Sequence, residues 1–72
     1  PEELRGRIRQ HIEGQDDNRV ADLHVWSIGP NRYAAAISVV THQPRPASHY
    51  HGLLPEDPRL VHTTIEVHRC EK

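Results

Sequence analysis

The feature that most constrains this chain is an alternating apolar segment followed by a turn and a second β-branched segment. In Val20–Ile28 apolar and polar residues alternate, as in a strand with one buried face. Gly29-Pro30-Asn31 is a strong turn signal, and Tyr33–Thr41 ends in consecutive β-branched residues. Because only the turn separates the two segments, the sequence predicts an antiparallel β-hairpin.

The alternation in the first strand also predicts which side chains face the core. A strand places successive side chains on opposite faces of the sheet. We therefore expect one set to face the core and the other to lie on a mixed, uncovered face. The core set is Ala21, Leu23 and Val25, and the other set is Asp22, His24 and Trp26.

One amphipathic helix is predicted before the hairpin. Leu4, Ile8 and Ile12 recur at four-residue spacing within Glu2–Glu13, with arginines off this stripe. Gly14 suits the C-terminal end of such a helix. The stripe is the predicted contact between this helix and the sheet.

A short helix and a third strand are predicted after the hairpin. The helix spans Pro46–Leu54, because proline suits its first turn and Pro55 stops it. Apolar and polar residues alternate again in Val61–Arg69, which predicts a strand. The inward residues expected from the helix are Ala47, Tyr50, Leu53 and Leu54, and those from the strand are Thr63, Ile65 and Val67.

The element order α-β-β-α-β predicts a two-layer α+β sandwich. A strand-helix-strand connection within one sheet is right-handed, which makes the second and third strands parallel. The result is a mixed three-stranded sheet with two helices on one face and the other face open. With 72 residues, the chain (1–72) has room for one domain only.

Composition excludes several classes of function. Nine basic and ten acidic residues argue against a nucleic-acid-binding surface. No apolar run reaches the roughly 20 residues of a membrane-spanning helix, so direct membrane insertion is not expected. A single cysteine excludes an intrachain disulfide. No combination of nucleophile, base and orienting group is recognisable, so we do not expect an enzyme.

The seven histidines are the strongest chemical signal. Parallel pairing of the last two strands brings their ends together, and with them His42, His68 and Cys70. Asp22 reaches the same end of the sheet from the first strand. Imidazole, thiolate and carboxylate are ligands of Zn²⁺, Co²⁺ and Ni²⁺, so a divalent-metal site is predicted here. His24 is either a further ligand or a structural histidine at the sheet edge.

Two further residues of the open face are candidates for an interface. They are Trp26 on the first strand and Glu66 on the third. Tryptophan on an uncovered sheet face is more often a packing or interface residue than a chemical one. An open sheet face in a domain of this size is polar or covered by a partner.

The sequence resembles the C-terminal cytoplasmic domain of cation diffusion facilitator transporters. Val20–Tyr33 (VADLHVWSIGPNRY) resembles the first hairpin of that domain, and Ile65–Cys70 resembles its last strand. The likeness spans nearly the whole chain, and Asp22–Trp26 is its most specific part. Ser38–His42 and the proline-rich segment after it look most like the family branch associated with cobalt, nickel or zinc efflux.

The resemblance implies a metallochaperone-like (ferredoxin-like) αββαβ fold on the cytoplasmic face of the cell membrane, with a bacterial inner membrane expected. It also implies a homodimer attached to the six-helix membrane part of the same transporter, which lies outside these 72 residues. Divalent metal bound at or near the interface of such dimers draws the two copies together and favours transport.

The metal ligands implied by the resemblance are only partly present. Ala21 and Ile37 stand where zinc-transporting members often carry ligand histidines. His68 is retained, and Cys70 stands where an acid is often found. The expected ligand set is therefore a rearranged one of His68, Cys70 and His42, joined by Asp22 or His24.

Three functions follow from these observations. The leading one is a regulatory and dimerisation domain that binds Zn²⁺, Co²⁺ or Ni²⁺ and regulates efflux. The alternative is a purely structural dimerisation module of the transporter, with no metal of its own. A free-standing metallochaperone fits less well, because such carriers usually present a pair of cysteines and this chain has one.

Overall fold

The computed structural model describes residues 2–71, and its elements follow in the predicted order. They are α1 (Glu2–Glu13), β1 (Arg19–Gly29), β2 (Arg32–Thr41), α2 (Ala47–His51) and β3 (Leu60–Arg69). The sheet order is β1-β2-β3, with β1 antiparallel and β3 parallel to β2. The predicted α+β fold, with two helices and a mixed three-stranded sheet, is confirmed.

Helix α1 supplies the centre of the core. Its predicted stripe of Leu4, Ile8 and Ile12 is fully buried. Glutamates in the first turn complement the positive end of the helix dipole. At the other end, the N–H of Gly14 donates to the carbonyl of Gln10 at 3.0 Å, and the helix ends there. Periodicity in the sequence therefore predicted both the bounds and the buried face of α1.

The core face of β1 differs from the prediction at its start. Ala21 was expected to face the core, and that expectation is wrong because Ala21 is exposed. The β1–β2 register shifts between Val20 and Asp22, so one extra residue of β1 stands opposite β2. This bulge turns Val20 inward, where it is buried beside Leu23.

Helix α2 is shorter than predicted. The sequence indicated Pro46–Leu54, whereas the helix spans Ala47–His51. Gly52 follows as its C-cap, and the next N–H, of Leu53, bonds back only three residues. The chain therefore leaves the helix one turn early.

The early end of α2 changes what it covers. Tyr50 is the only buried side chain of the helix, whereas Ala47, expected to point inward, is exposed. Leu53 and Leu54 are half-buried beyond the helix. Because so short a helix covers little of β3, the core-facing side chains Ile65 and Val67 stay half-buried too.

A buried carboxylate joins the start of α1 to the loop before β3. Asp57 accepts a hydrogen bond from Arg7 at 2.9 Å and another from Arg59 at 2.7 Å. The hydrogen bonds from Arg59, with a smaller one from Arg7, hold the pKa of Asp57 well below its usual range. Asp57 is thus ionised throughout the physiological range and clamps these two segments together.

Candidate functional site

The face of the sheet opposite the helices carries five of the seven predicted site residues, namely Asp22, His24, Trp26, Glu66 and His68. The β1–β2 and β2–β3 registers place side chains of three strands in rows across this face. One row is Asp22, Ser38 and Glu66, the next is His24, Ala36 and Thr64, and Trp26 and Ala34 follow. The β2 residues in these rows are small, so the larger side chains of β1 and β3 border a shallow groove above β2. We call these two rows of side chains, one on β1 and one on β3, the walls of the groove.

Each wall carries one imidazole–carboxylate pair. Nε2 of His24 lies 3.1 Å from Oδ2 of Asp22 on β1. Nε2 of His68 lies 3.1 Å from Oε1 of Glu66 on β3. Each pair joins residues two apart on one strand, which share a face because side chains alternate along a strand. All four side chains are solvent-exposed, so they are accessible to an ion or a partner.

The two pairs do not meet within one copy of the chain. Strand β2 lies between them, and two strand spacings separate their backbones by about 10 Å. Zinc–ligand bonds are only about 2 Å long. Accordingly, in the described residues no three side chains of His, Cys, Asp or Glu form a group that could hold a metal ion.

The predicted meeting of the β2 and β3 ends is confirmed. Thr41 pairs with Arg69, and the N–H of Cys70 donates to the carbonyl of Thr41 at 2.8 Å. The side chain of Cys70 is half-buried at this end. His68 lies two residues before Cys70 on β3, where its imidazole faces Glu66.

His42 is at the same end of the sheet but has a different partner from those predicted. Its Nδ1 contacts Oδ2 of Asp17, and its backbone N–H donates to the same oxygen at 3.1 Å. Asp17 also accepts a hydrogen bond from the hydroxyl of buried Thr41. The structure therefore places His42 beside Asp17, in the loop between α1 and β1.

Asp17, which lies in the loop between α1 and β1, is not among the predicted site residues. The hairpin register could have indicated it: Arg19 pairs with Val40, so two residues further on Asp17 lies beside His42. The hydrogen bonds from Thr41 and then His42 lower the pKa of Asp17 to about 2.

Replacing Asp17 by asparagine is expected to make the stability of the fold depend less on pH below pH 5. The pKa of Asp17 falls from 3.8 to about 2 on folding, so its contribution is complete above about pH 4. That contribution disappears as pH falls through 2. Thermal melts between pH 5 and pH 2 should therefore lose less stability in Asp17→Asn than in the unaltered chain. The control variant Glu56→Gln, at an exposed position, should lose as much thermal stability between pH 5 and pH 2 as the unaltered chain. The same loss in all three proteins would contradict this role of Asp17.

The apolar end of the open face carries the predicted interface residue Trp26. Its side chain is 47% exposed, and nearby Ile28 is 51% exposed. The other predicted interface residue, Glu66, lies on the opposite wall and bonds His68. The open face therefore combines a polar end on both walls with an exposed apolar end on β1.

Comparisons with protein-family models, with curated proteins and with solved structures found no match to this chain. Neither helix within residues 2–71 has the length and apolar character needed to cross a membrane.

Proposed function

We propose that this chain is the cytoplasmic regulatory and dimerisation domain of a divalent-metal efflux transporter of the cation diffusion facilitator type. The segments that carry the resemblance, Val20–Tyr33 and Ile65–Cys70, lie in the β1–β2 hairpin and in β3. The αββαβ order that the resemblance implies is the order of this fold. In this proposal the partners are a second copy of the chain and the membrane part of the same transporter.

The observation that carries the proposal is the presence of two imidazole–carboxylate pairs on the open face. The pairs Asp22–His24 and Glu66–His68 each offer one nitrogen and one oxygen ligand. Nitrogen, oxygen and sulfur donors of this kind bind Zn²⁺, Co²⁺ and Ni²⁺. A tetrahedral site needs four ligands, so one pair supplies half of a site and a second copy supplies the rest.

Metal shared between two copies would act as a regulatory switch. A ligand shifts an equilibrium only by its difference in affinity for the two states. An ion that is fully coordinated only when two copies come together favours the paired state. Pairing on the cytoplasmic side would then couple the cytoplasmic metal concentration to the state of the membrane part of the transporter.

Metal titration of the reduced domain tests this proposal. We expect micromolar or tighter binding of Zn²⁺, Co²⁺ or Ni²⁺ by calorimetry, with metal shifting the sedimentation of the domain towards the dimer. The double variant His68→Ala, Cys70→Ala should bind at least about tenfold more weakly, because it loses two predicted ligands. His24→Ala reports the β1 pair separately.

His11→Ala is the matched control, because it removes an exposed imidazole from α1, remote from the open face. It should bind metal as the unaltered chain does. Equal affinity in the double variant, in His24→Ala and in the control contradicts metal binding by these residues.

The second candidate function is a structural dimerisation module without metal of its own. The exposed apolar side chains Trp26, Ile28 and Val61 favour it, because all three lie on strands where a partner could cover them. Sedimentation in the presence of a chelator separates the two functions. A dimer that persists unchanged with and without metal supports the structural module.

A further inference from the structure

The two edges of the sheet differ in how far side chains from other elements cover their backbone groups. Strands β1 and β3 are both edge strands, because β2 lies between them. An edge strand presents unpaired N–H and C=O groups that can pair with a strand of another chain. Folds that avoid such pairing cover these groups.

The first half of the β1 edge is covered by side chains of α1. Arg5 donates to the carbonyl of Leu23 at 3.2 Å, and Arg9 donates to the carbonyl of Val20 at 3.1 Å. The N–H of Val20 donates to Glu13 at 2.8 Å. These α1 side chains recur every four residues, so one face of the helix closes this edge to an added strand.

The β3 edge has no such cover. In residues 2–71 no side chain bonds to a backbone group of Leu60–Arg69, and this ten-residue strand contains neither proline nor lysine. The Cys70–Thr41 bond shows that even-numbered residues turn their backbone groups towards β2. The backbone groups of Thr63, Ile65 and Val67 therefore point to the free edge.

The apolar side of β3 is also incompletely covered. Helix α2 has five residues, and the core-facing side chains of Ile65 and Val67 remain half-buried. Val61, at the start of the strand, is 48% exposed. A partner at this edge would gain both backbone hydrogen bonds and apolar contact.

We propose that the free edge of β3 is the pairing surface of this chain and that its occupant is a second copy. The two β3 strands run antiparallel about a two-fold axis through Thr64, and the two sheets become one sheet of six strands. The inference deepens the proposed function by naming its dimer contact, and it rests on that function only for the expectation that the chain pairs. It requires no metal.

Side chains of β3 are complementary to themselves about this axis. His62 lies opposite Glu66 of the second copy, and Glu66 lies opposite His62 of that copy. An imidazole can hydrogen-bond to a carboxylate across antiparallel strands, and such side-chain pairs stabilise the pairing.

An axis shifted by one residue lacks this complementarity. With the two-fold axis at Ile65, His62 would face His68 and Glu66 would face Thr64. Neither pair joins an imidazole to a carboxylate. The reciprocal match about Thr64 is what favours a second copy over an extended segment of an unrelated chain, which need not carry residues in this order.

Disulfide cross-linking in the presence of a chelator tests the arrangement. In a Cys70→Ser background, Thr64→Cys places one thiol of each copy at the axis. Since the backbone of Thr64 faces β2, the two copies meet there as a non-hydrogen-bonded pair with Cα atoms about 4.5 Å apart. That separation lies within disulfide range, so mild oxidation should convert most of the protein to a covalent dimer.

The same row of the sheet provides matched controls. His24 and Ala36 lie beside Thr64 on β1 and β2. His24→Cys and Ala36→Cys in the same background should stay mostly monomeric under the same oxidation. A covalent dimer through position 36 indicates face-to-face packing, and one through position 24 indicates the β1 edge. Either of these outcomes, or no dimer at position 64, overturns the proposal.

A second measurement uses two exposed aliphatic residues. Val61→Lys should weaken self-association in sedimentation by at least about tenfold, because lysine on an edge strand blocks edge pairing. Ile28→Lys, at a similarly exposed position on β1, should leave it unchanged. Equal effects, or a chain that stays monomeric at every concentration, contradict β3 pairing. Because chelator is present throughout, these measurements test β3 pairing alone. The metal titration tests the proposed function separately.

Discussion

Replacing Ile8 by alanine is expected to lower the free energy of unfolding by about 2–5 kcal/mol. Ile8 is 0% exposed and is the middle residue of the α1 stripe that packs on the sheet. The loss combines the transfer of the removed methyl groups with the cavity left behind. Since small domains are stable by only about 5–15 kcal/mol, this single change should remove a large part of the total. Urea denaturation followed by circular dichroism measures it.

Ile28→Ala is the matched control for that measurement. Ile28 is 51% exposed, so its truncation should change the free energy of unfolding by less than about 0.5 kcal/mol. Both variants are compared at one protein concentration, because self-association would add to the apparent stability. Similar losses in the two variants contradict the assignment of the core to the α1 side of the sheet.

Tyr50→Ala is the second substitution with a large expected effect, a loss of about 3–5 kcal/mol. Tyr50 is 1% exposed and is the only buried side chain of α2. Its hydroxyl also accepts a hydrogen bond from the backbone N–H of Arg45 at 3.0 Å. Its removal takes away both the contact of α2 with the core and the anchor of the preceding connector. Denaturant unfolding gives the size of the loss.

Tyr50→Phe separates packing from hydrogen bonding at this position. It keeps the ring and loses only the hydroxyl, so we expect a loss of about 0.5–1.5 kcal/mol. A phenylalanine variant as unstable as Tyr50→Ala contradicts the view that ring burial dominates here.

Local patterns predicted the elements, and their failures occur where elements contact one another. The stripe Leu4–Ile12 and the alternation in Val20–Ile28 each describe a single element, and both predictions of element type are confirmed. Ala21 was misplaced because a β-bulge depends on the pairing of two strands. The end of α2 was misplaced because Pro55 was expected to stop the helix, whereas the helix already ends before Gly52.

The candidate site divides in the same way. Strand alternation placed Asp22, His24, Glu66 and His68 on one face, and the structure agrees. It did not predict that His42 turns to Asp17, because that contact joins two loops through the hairpin register. Distance between the walls likewise depends on β2 lying between β1 and β3.

Residues near one another in the chain are enough to predict the type and order of the helices and strands, and the sheet face of most strand side chains; Ala21 at the bulge is the exception. Which sheet edge is covered within residues 2–71 depends instead on how the elements pack against one another. Arg5 and Arg9 reach the carbonyls of β1 because α1 packs along that strand, whereas the short α2 leaves β3 uncovered. Such side-chain-to-backbone contacts depend on how the elements pack in space, and spacing along the chain does not encode them.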